Sequence, residues 1–239
     1  MDAQRFSGRL AIVTGGSGGL GRAVVAAFLA EGAHVAAIAH HESSLAPLRL
    51  LPGADASLLP LAVDLLDVPA VEQAVLTVRE WGGRLDILVN AAGANAGGKP
   101  VGASADDEWR TMLDANLLTA LHATRAVLPT MVAQGGGRIV NVSSRAARHV
   151  GRDAAAYTVA KAGLETFTLA VAEEYREQRI TANAVVPSAI ATPTMLAHAT
   201  DQQRLRWVPP ESIARVILFL ASDEAVDVSG ALLPVYGRA

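Results

Sequence analysis

Arg9-Leu-Ala-Ile-Val-Thr-Gly-Gly-Ser-Gly-Gly-Leu-Gly21 is the stretch that decides the fold. Its first half is a short apolar run closed by glycine, the pattern of a parallel strand buried on both faces. From Gly21 to Glu31 alanine and leucine recur at helical spacing, and Gly32 is a natural C-terminal stop. Glycines at a strand-to-helix turn let the backbone approach a pyrophosphate, and the helix N-terminus offers free N–H groups and a positive dipole end. On residue type alone, a flexible connection is the competing reading.

The same unit recurs along the chain. Strands are expected at His34–Ala39, Ser57–Val63, Leu85–Val89, Gly137–Val142, Ile180–Val186 and Ala231–Val235. Helices are expected over Val68–Trp81, over Asp106–Gln134 with a break or bend at Pro129, over Ala154–Gln178 and over Ser212–Ser222. Alternation of this kind implies an α/β fold, a single doubly wound domain over residues 1–239 with a parallel sheet of about seven strands and helices on both faces. Ligands then bind at the C-terminal strand edge.

Composition narrows the function. With 239 residues, 51% hydrophobic, the chain can bury a substantial core. A net charge of −3 gives no electrostatic case for nucleic acid or an anionic membrane. The absence of cysteine excludes disulfides, thiolate nucleophiles and cysteine-held zinc, and no metal is expected. The opening Met-Asp-Ala-Gln-Arg-Phe has no apolar signal core, so the expected location is the cytoplasm.

Tyr157-Thr-Val-Ala-Lys161 sets a phenol and an ammonium one helical turn apart, with Ser144 thirteen residues upstream. Moving a tyrosine from a pKa of about 10 to about 7 requires roughly 4 kcal/mol. One positive charge at about 4 Å supplies about that much at an effective dielectric of 20. The lysine is therefore expected to make the phenol a usable acid–base group, with Ser144 holding the oxygen whose proton is exchanged. Alone, the tyrosine reads equally as a half-buried helix aromatic and the lysine as a snorkelling surface side chain. Ser143 points oppositely from Ser144 on an extended segment.

Gly15, Gly19 and Gly21 form T-G-x-x-x-G-x-G, and the chain resembles the short-chain dehydrogenase/reductase family over nearly its whole length. Asn90-Ala-Ala-Gly93 is similar to the family's N-N-A-G, with Ala91 in the second place. Asn116, Asn141-Val-Ser-Ser144, Tyr157-x-x-x-Lys161 and Pro187–Thr192 follow in order. The resemblance implies that Tyr157 gives a proton to a carbonyl oxygen or takes it from an alcohol. By the same resemblance Lys161 lowers the tyrosine pKa and binds the nicotinamide ribose, Ser144 polarises the substrate oxygen, and Asn116 holds a relay water. The dinucleotide would lie against Gly15, Ser17, Gly18, Gly19, Leu20 and Gly21, then Asn90, Ala91, Ala92 and Gly93, and finally Pro187, Ile190 and Thr192. Thr192 would bond the carboxamide. Asp64 is a helix N-cap before Leu65 on residue type alone; its place in the family pattern assigns it to the adenine amino group.

Cofactor choice turns on the end of the second strand, where a carboxylate would bind the ribose 2′-hydroxyl and repel a 2′-phosphate. Ala39 stands there, followed by His40 and His41, so NADP(H) is expected over NAD(H), although Gly18 occupies a place that is often basic in NADP-preferring relatives. Ser188 replaces the family glycine of P-G-x-x-x-T and loses easy access to positive φ. The segment between Pro193 and Pro209 is a short lid with Met195, Leu196 and Trp207. Arg145, Arg148 and Arg152, with His149 among them, read as a solvated loop or as a patch steering an anionic substrate or an acyl-carrier protein. The family implies a homotetramer, or else a dimer, acting on a small carbonyl or alcohol substrate, with 3-oxoacyl thioester reduction as one role. A non-catalytic dinucleotide sensor, or an epimerisation or dehydration on the same scaffold, are the competing functions.

Overall fold

The structure, a computed structural model, describes residues 4–95 and 98–238. Met1–Ala3, part of the stretch read for a signal core, lie outside it. Seven strands form one all-parallel sheet in the order β3-β2-β1-β4-β5-β6-β7. They are β1 Leu10–Thr14, β2 His34–Ala39, β3 Leu58–Ala62, β4 Ile87–Asn90, β5 Gly137–Val142, β6 Ile180–Pro187 and β7 Leu232–Val235. The helices of eight residues or more among the described residues are α1 Gly19–Ala30, α2 Val68–Gly82, α3 Asp106–Leu113, α4 Thr119–Gln134, α5 Ala155–Glu174 and α6 Pro210–Ala221.

Strand alternation sorts the core into two layers. Ala11 and Val13 of β1 face α1 and α6, packing with Val24, Val25, Phe28, Ile213 and Ile217. Leu10 and Ile12 face the other way, towards α2, α4 and α5, among Val71, Val75, Val78, Val127, Met131 and Val171. The strand order reverses between β1 and β4, whose pairing runs Ala11↔Ile87 to Thr14↔Asn90. That switch point opens a crevice at the C-terminal strand ends. The chain has the architecture of a doubly wound Rossmann domain. Pro60 and Pro234 stand in the edge strands β3 and β7, where a missing ladder donor is tolerated.

One element departs from expectation. The helical stretch 106–134 does not break at Pro129, which sits inside a continuous α4. It changes winding at Asp114–Leu118, a π-helical segment in which the Thr119 N–H bonds Asp114 O, five residues back. Pro129 is exposed, and buried Val127, Leu128 and Met131 anchor the helix on either side of it. Their packing offsets the missing backbone bond.

Candidate active site

The turn between β1 and α1 is built by close approach. Gly15 has φ +63°, and a Cβ there would lie 2.8 Å from the backbone of Ala92. A Cβ on Gly21 would meet Gly15 O at 2.0 Å. The Thr14 hydroxyl bridges the two loops, donating to Val89 O at 3.4 Å and accepting from the Ala92 N–H at 3.3 Å. Only residues without side-chain bulk let these loops meet, and beside them lies a cleft of about 610 Å³. A cradle that a Cβ would fill, at the N-terminus of α1, fits a dinucleotide pyrophosphate.

Gly15, Ser17, Gly18, His40, Asp64 and Leu65 line that cleft, as do Ala91, Ala92 and Gly93. Ten expected cofactor residues stand apart from its lining: Gly19, Leu20, Gly21, His41, Asn90, Tyr157, Lys161, Pro187, Ile190 and Thr192. Leu20 and Gly21 are buried in α1. The Asn90 side chain turns into the core, donating to Thr124 Oγ1 at 3.1 Å and Asn141 Oδ1 at 2.8 Å. Asn141 continues the chain to Thr168 at 2.8 Å, so Asn90 clamps β4 and β5 to α4 and α5. His41 lies outside the lining, its ring edge-on to His40 at 4.5 Å.

Asp64 is not a helix cap, because the helix begins at Val68 under Asp67, whose carboxylate accepts from the Ala70 N–H. Asp64 Oδ1 instead accepts from the Leu66 N–H at 2.9 Å and lies 4.0 Å from His40 Nδ1. Ala39, ending β2, brings no carboxylate to the cleft. Sequence reasoning missed Thr111, Asp114, Ala115 and Thr119, which close the far wall. Their only sequence signal is nearness to Asn116.

The residues expected to handle the proton gather at the ends of β4 and β5. Lys161 is buried and its Nζ donates to Val142 O at 2.8 Å. Burial pushes its pKa down to about 8. A Cβ on Gly93 would lie 3.4 Å from Lys161 Nζ and 2.8 Å from Asn116 Oδ1. Asn116 is buried and clasps the loop after β4: Nδ2 donates to Ala94 O at 2.8 Å and Met112 O at 3.0 Å, and Oδ1 accepts from the Ala94 N–H at 3.2 Å. Both amide protons are thus spent on the protein. A water held by Asn116 would use an oxygen, and the π-winding displaces backbone carbonyls there from the regular ladder.

Tyr157 differs from expectation. Burial raises its pKa, and the neighbouring Ser144 hydroxyl opposes that rise. Lys161 does not depress it in this state. Its Nζ is directed at Val142 O and sits 6.0 Å from the Tyr157 ring centroid. Ser144 caps the turn Arg145–Ala147 by accepting from the Ala146 N–H at 3.2 Å. Ser143 points the other way, donating to Glu165 Oε1 at 2.9 Å, while Arg148 Nε reaches Glu165 Oε2 at 3.1 Å. That buried carboxylate pins the serine loop to α5, a tie the sequence did not signal.

After β6, Ser188 keeps an ordinary backbone: the non-glycine residues with positive φ among the described ones are Asp153 and Arg179. Its N–H donates to Val235 O at 3.3 Å and its hydroxyl to Tyr236 O at 2.8 Å. The serine replaces glycine without strain. Ile190 pairs with Val208 and closes the base of the lid, which holds two short helical turns, Pro193–Leu196 and Asp201–Arg206. Thr192 caps the first, accepting from the Met195 N–H. Its methyl would lie 2.5 Å from a Cβ on Gly19, so Thr192 packs directly against the glycine turn.

Residues 9–203 match the family described as short chain dehydrogenase. A 3-oxoacyl-[acyl-carrier-protein] reductase FabG from Vibrio harveyi is 34% identical, with 97% of each chain covered. A short-chain type dehydrogenase/reductase from Mycobacterium ulcerans superposes with a TM-score of 0.91 at 28% identity, covering 98% of this chain and 90% of that one. Carveol dehydrogenase from Mycobacterium avium, solved in complex with NAD, gives 0.89 at 29% identity with 98% of each chain covered. Over nearly its whole length, then, this chain is a member of the short-chain dehydrogenase/reductase family, oxidoreductases acting on alcohol and carbonyl groups with NAD(P).

Proposed function

We propose that this protein reduces a small ketone or aldehyde, or oxidises the matching secondary alcohol, with NADP(H) favoured over NAD(H). The observation that carries the reading is the convergence of Ser144, Tyr157 and Lys161 beside the glycine cleft. A bound nicotinamide dinucleotide supplies the hydride. The chain's own residues handle the proton. Tyr157, kept protonated by burial, gives its phenolic proton to the carbonyl oxygen, and Ser144 orients that oxygen and stabilises the phenolate left behind. Lys161, anchored on Val142 O, adds positive charge near the phenolate as it forms. Gly15, Ser17 and Gly18 would hold the pyrophosphate, Asp64 the adenine, and Thr192 the carboxamide.

Tyr157→Phe tests this directly. NADPH oxidation against a panel of carbonyl compounds, acetoacetyl thioesters included, should fall by about 10²-fold or more. NADPH binding, read by fluorescence, should persist. A variant with near-wild-type rates would end this mechanism, whereas a wild type that binds NADPH and reduces no carbonyl compound would favour a non-catalytic sensor. The absence of a carboxylate at Ala39 and the presence of His40 in the cleft support NADP. Equal or better kcat/KM with NAD would reverse that preference. The FabG relatives make 3-oxoacyl thioester reduction the second reading. A cytoplasmic homotetramer, or a dimer, without nucleic-acid or membrane partners, completes the proposal. Among the described residues no helix is long and apolar enough to cross a membrane.

A further inference from the structure

Three arginines follow Ser144, and the structure employs them differently. Arg148 is committed to Glu165. Arg152 is exposed to solvent. Arg145, adjacent to Ser144, is half-buried, and among the described residues its guanidinium has neither a carboxylate within ion-pair distance nor a hydrogen-bond acceptor. It is held by an aromatic ring instead. Its Cζ lies 5.4 Å from the Tyr236 ring centroid, and His149 packs edge-on against the same ring at 6.2 Å. Tyr236 is fixed in turn by its backbone, through the Ser188 hydroxyl at 2.8 Å and the pairing of Val235 with Pro187. The serine that departs from the family's glycine is therefore the latch that seats this ring.

A ring face orients a guanidinium without neutralising it. The planar fork keeps its N–H donors, and with no protein acceptor they are left to solvent or to a ligand that presents a matching anion. We propose that Arg145, braced by Tyr236, is a specificity-determining residue that takes the carboxylate of an oxo-acid substrate whose carbonyl lies at Ser144 and Tyr157. This rests on the carbonyl-reduction reading above. Arginine suits the task because its fork matches a carboxylate bidentately.

The test compares straight-chain oxo acids, with the carbonyl moved progressively along the chain, against their methyl esters, using NADPH. Wild type should prefer the acid at one or more chain lengths by about 10- to 100-fold in kcat/KM. Arg145→Gln should bring that acid-to-ester ratio to near one, Arg145→Lys should retain part of it, and Tyr236→Ala should lower it with the guanidinium still present. A wild-type ratio near one at every length, or a ratio unmoved in Arg145→Gln, overturns the inference and leaves carbonyl reduction standing. If no acid or ester is reduced, the reduction reading falls, and the carboxylate site is read by thermal shift of the NADP-saturated protein with the same acids and esters. A shift with acids that is lost in Arg145→Gln supports the site; equal shifts with acids and esters overturn it. Circular dichroism establishes that each variant is folded.

Discussion

Lys161 is a buried lysine, and its burial has an energetic cost that depends on pH. A lysine folded into a site that holds its pKa near 8, against 10.5 in the unfolded chain, is penalised while both states are protonated. Below pH 8 that penalty is constant. Between about 8 and 10.5 the unfolded chain keeps a proton that the folded one has released, so the stability contribution of this group rises with pH, by at most about 1.4 kcal/mol per unit. Lys161→Met keeps the apolar stem and removes the titration. The stability gap between Lys161→Met and wild type, from urea unfolding across pH 7 to about 10.5, should therefore shift in favour of wild type as pH rises. A gap that stays flat would mean that Lys161 keeps its charge despite burial. The tyrosine was legible as a catalytic candidate, but its titration was not. The spacing in Tyr157-x-x-x-Lys161 gives proximity along a helix, whereas the direction of Lys161 Nζ is fixed by Val142 O, a contact across nineteen residues.

At the scale of elements, the strands and most helices were readable because each carries its own period and its own stop. The strand Gly137–Val142 was read to the residue, and Val68–Gly82 to within one. The π-helical turn at Asp114–Leu118 was invisible, since Asp-Ala-Asn-Leu-Leu contains nothing that an ordinary helix would refuse. Pro129 drew the prediction of a break or bend because its cost is local and known, while the packing that keeps the helix continuous is tertiary. The extra residue in the turn carries Asn116 inward to clasp Ala94, which fixes the loop bearing Gly93 against Lys161. Asn116→Ala removes three hydrogen bonds from a buried position and should cost about 2–4 kcal/mol. Asn116→Asp, nearly identical in volume, sets a carboxylate oxygen against Ala94 O and Met112 O and should cost at least as much. Denaturant midpoints decide between shape and hydrogen bonding. An aspartate variant as stable as wild type would show that the clasp does not hold the loop.

Across the whole molecule, the parallel sheet and its ligand-bearing edge followed from alternation and handedness alone, because those rules need no side-chain detail. The ties beneath the sheet did not. Arg9, just before the first strand, reaches Asp86 before the fourth and Asp223 after the last long helix, contacts that leave no trace in a local pattern. What the protomer leaves uncovered on α5 bears on assembly. Val159, Thr166 and Ala170 are exposed along one face of that helix, and a charge first appears on that exposed face at Glu173. A small, uncharged helix face of three turns permits close approach of a second copy. In solution the protein should run as a dimer or tetramer, with this face buried between copies. Thr166→Arg with Ala170→Arg places two guanidiniums on it at positions exposed in the protomer, so the fold should tolerate them. Light scattering after size exclusion should then give a smaller mass than wild type at the same concentration, with the circular dichroism spectrum unchanged. A monomeric wild type would remove the proposed assembly, and an unchanged mass in the double variant would place the interface on another face.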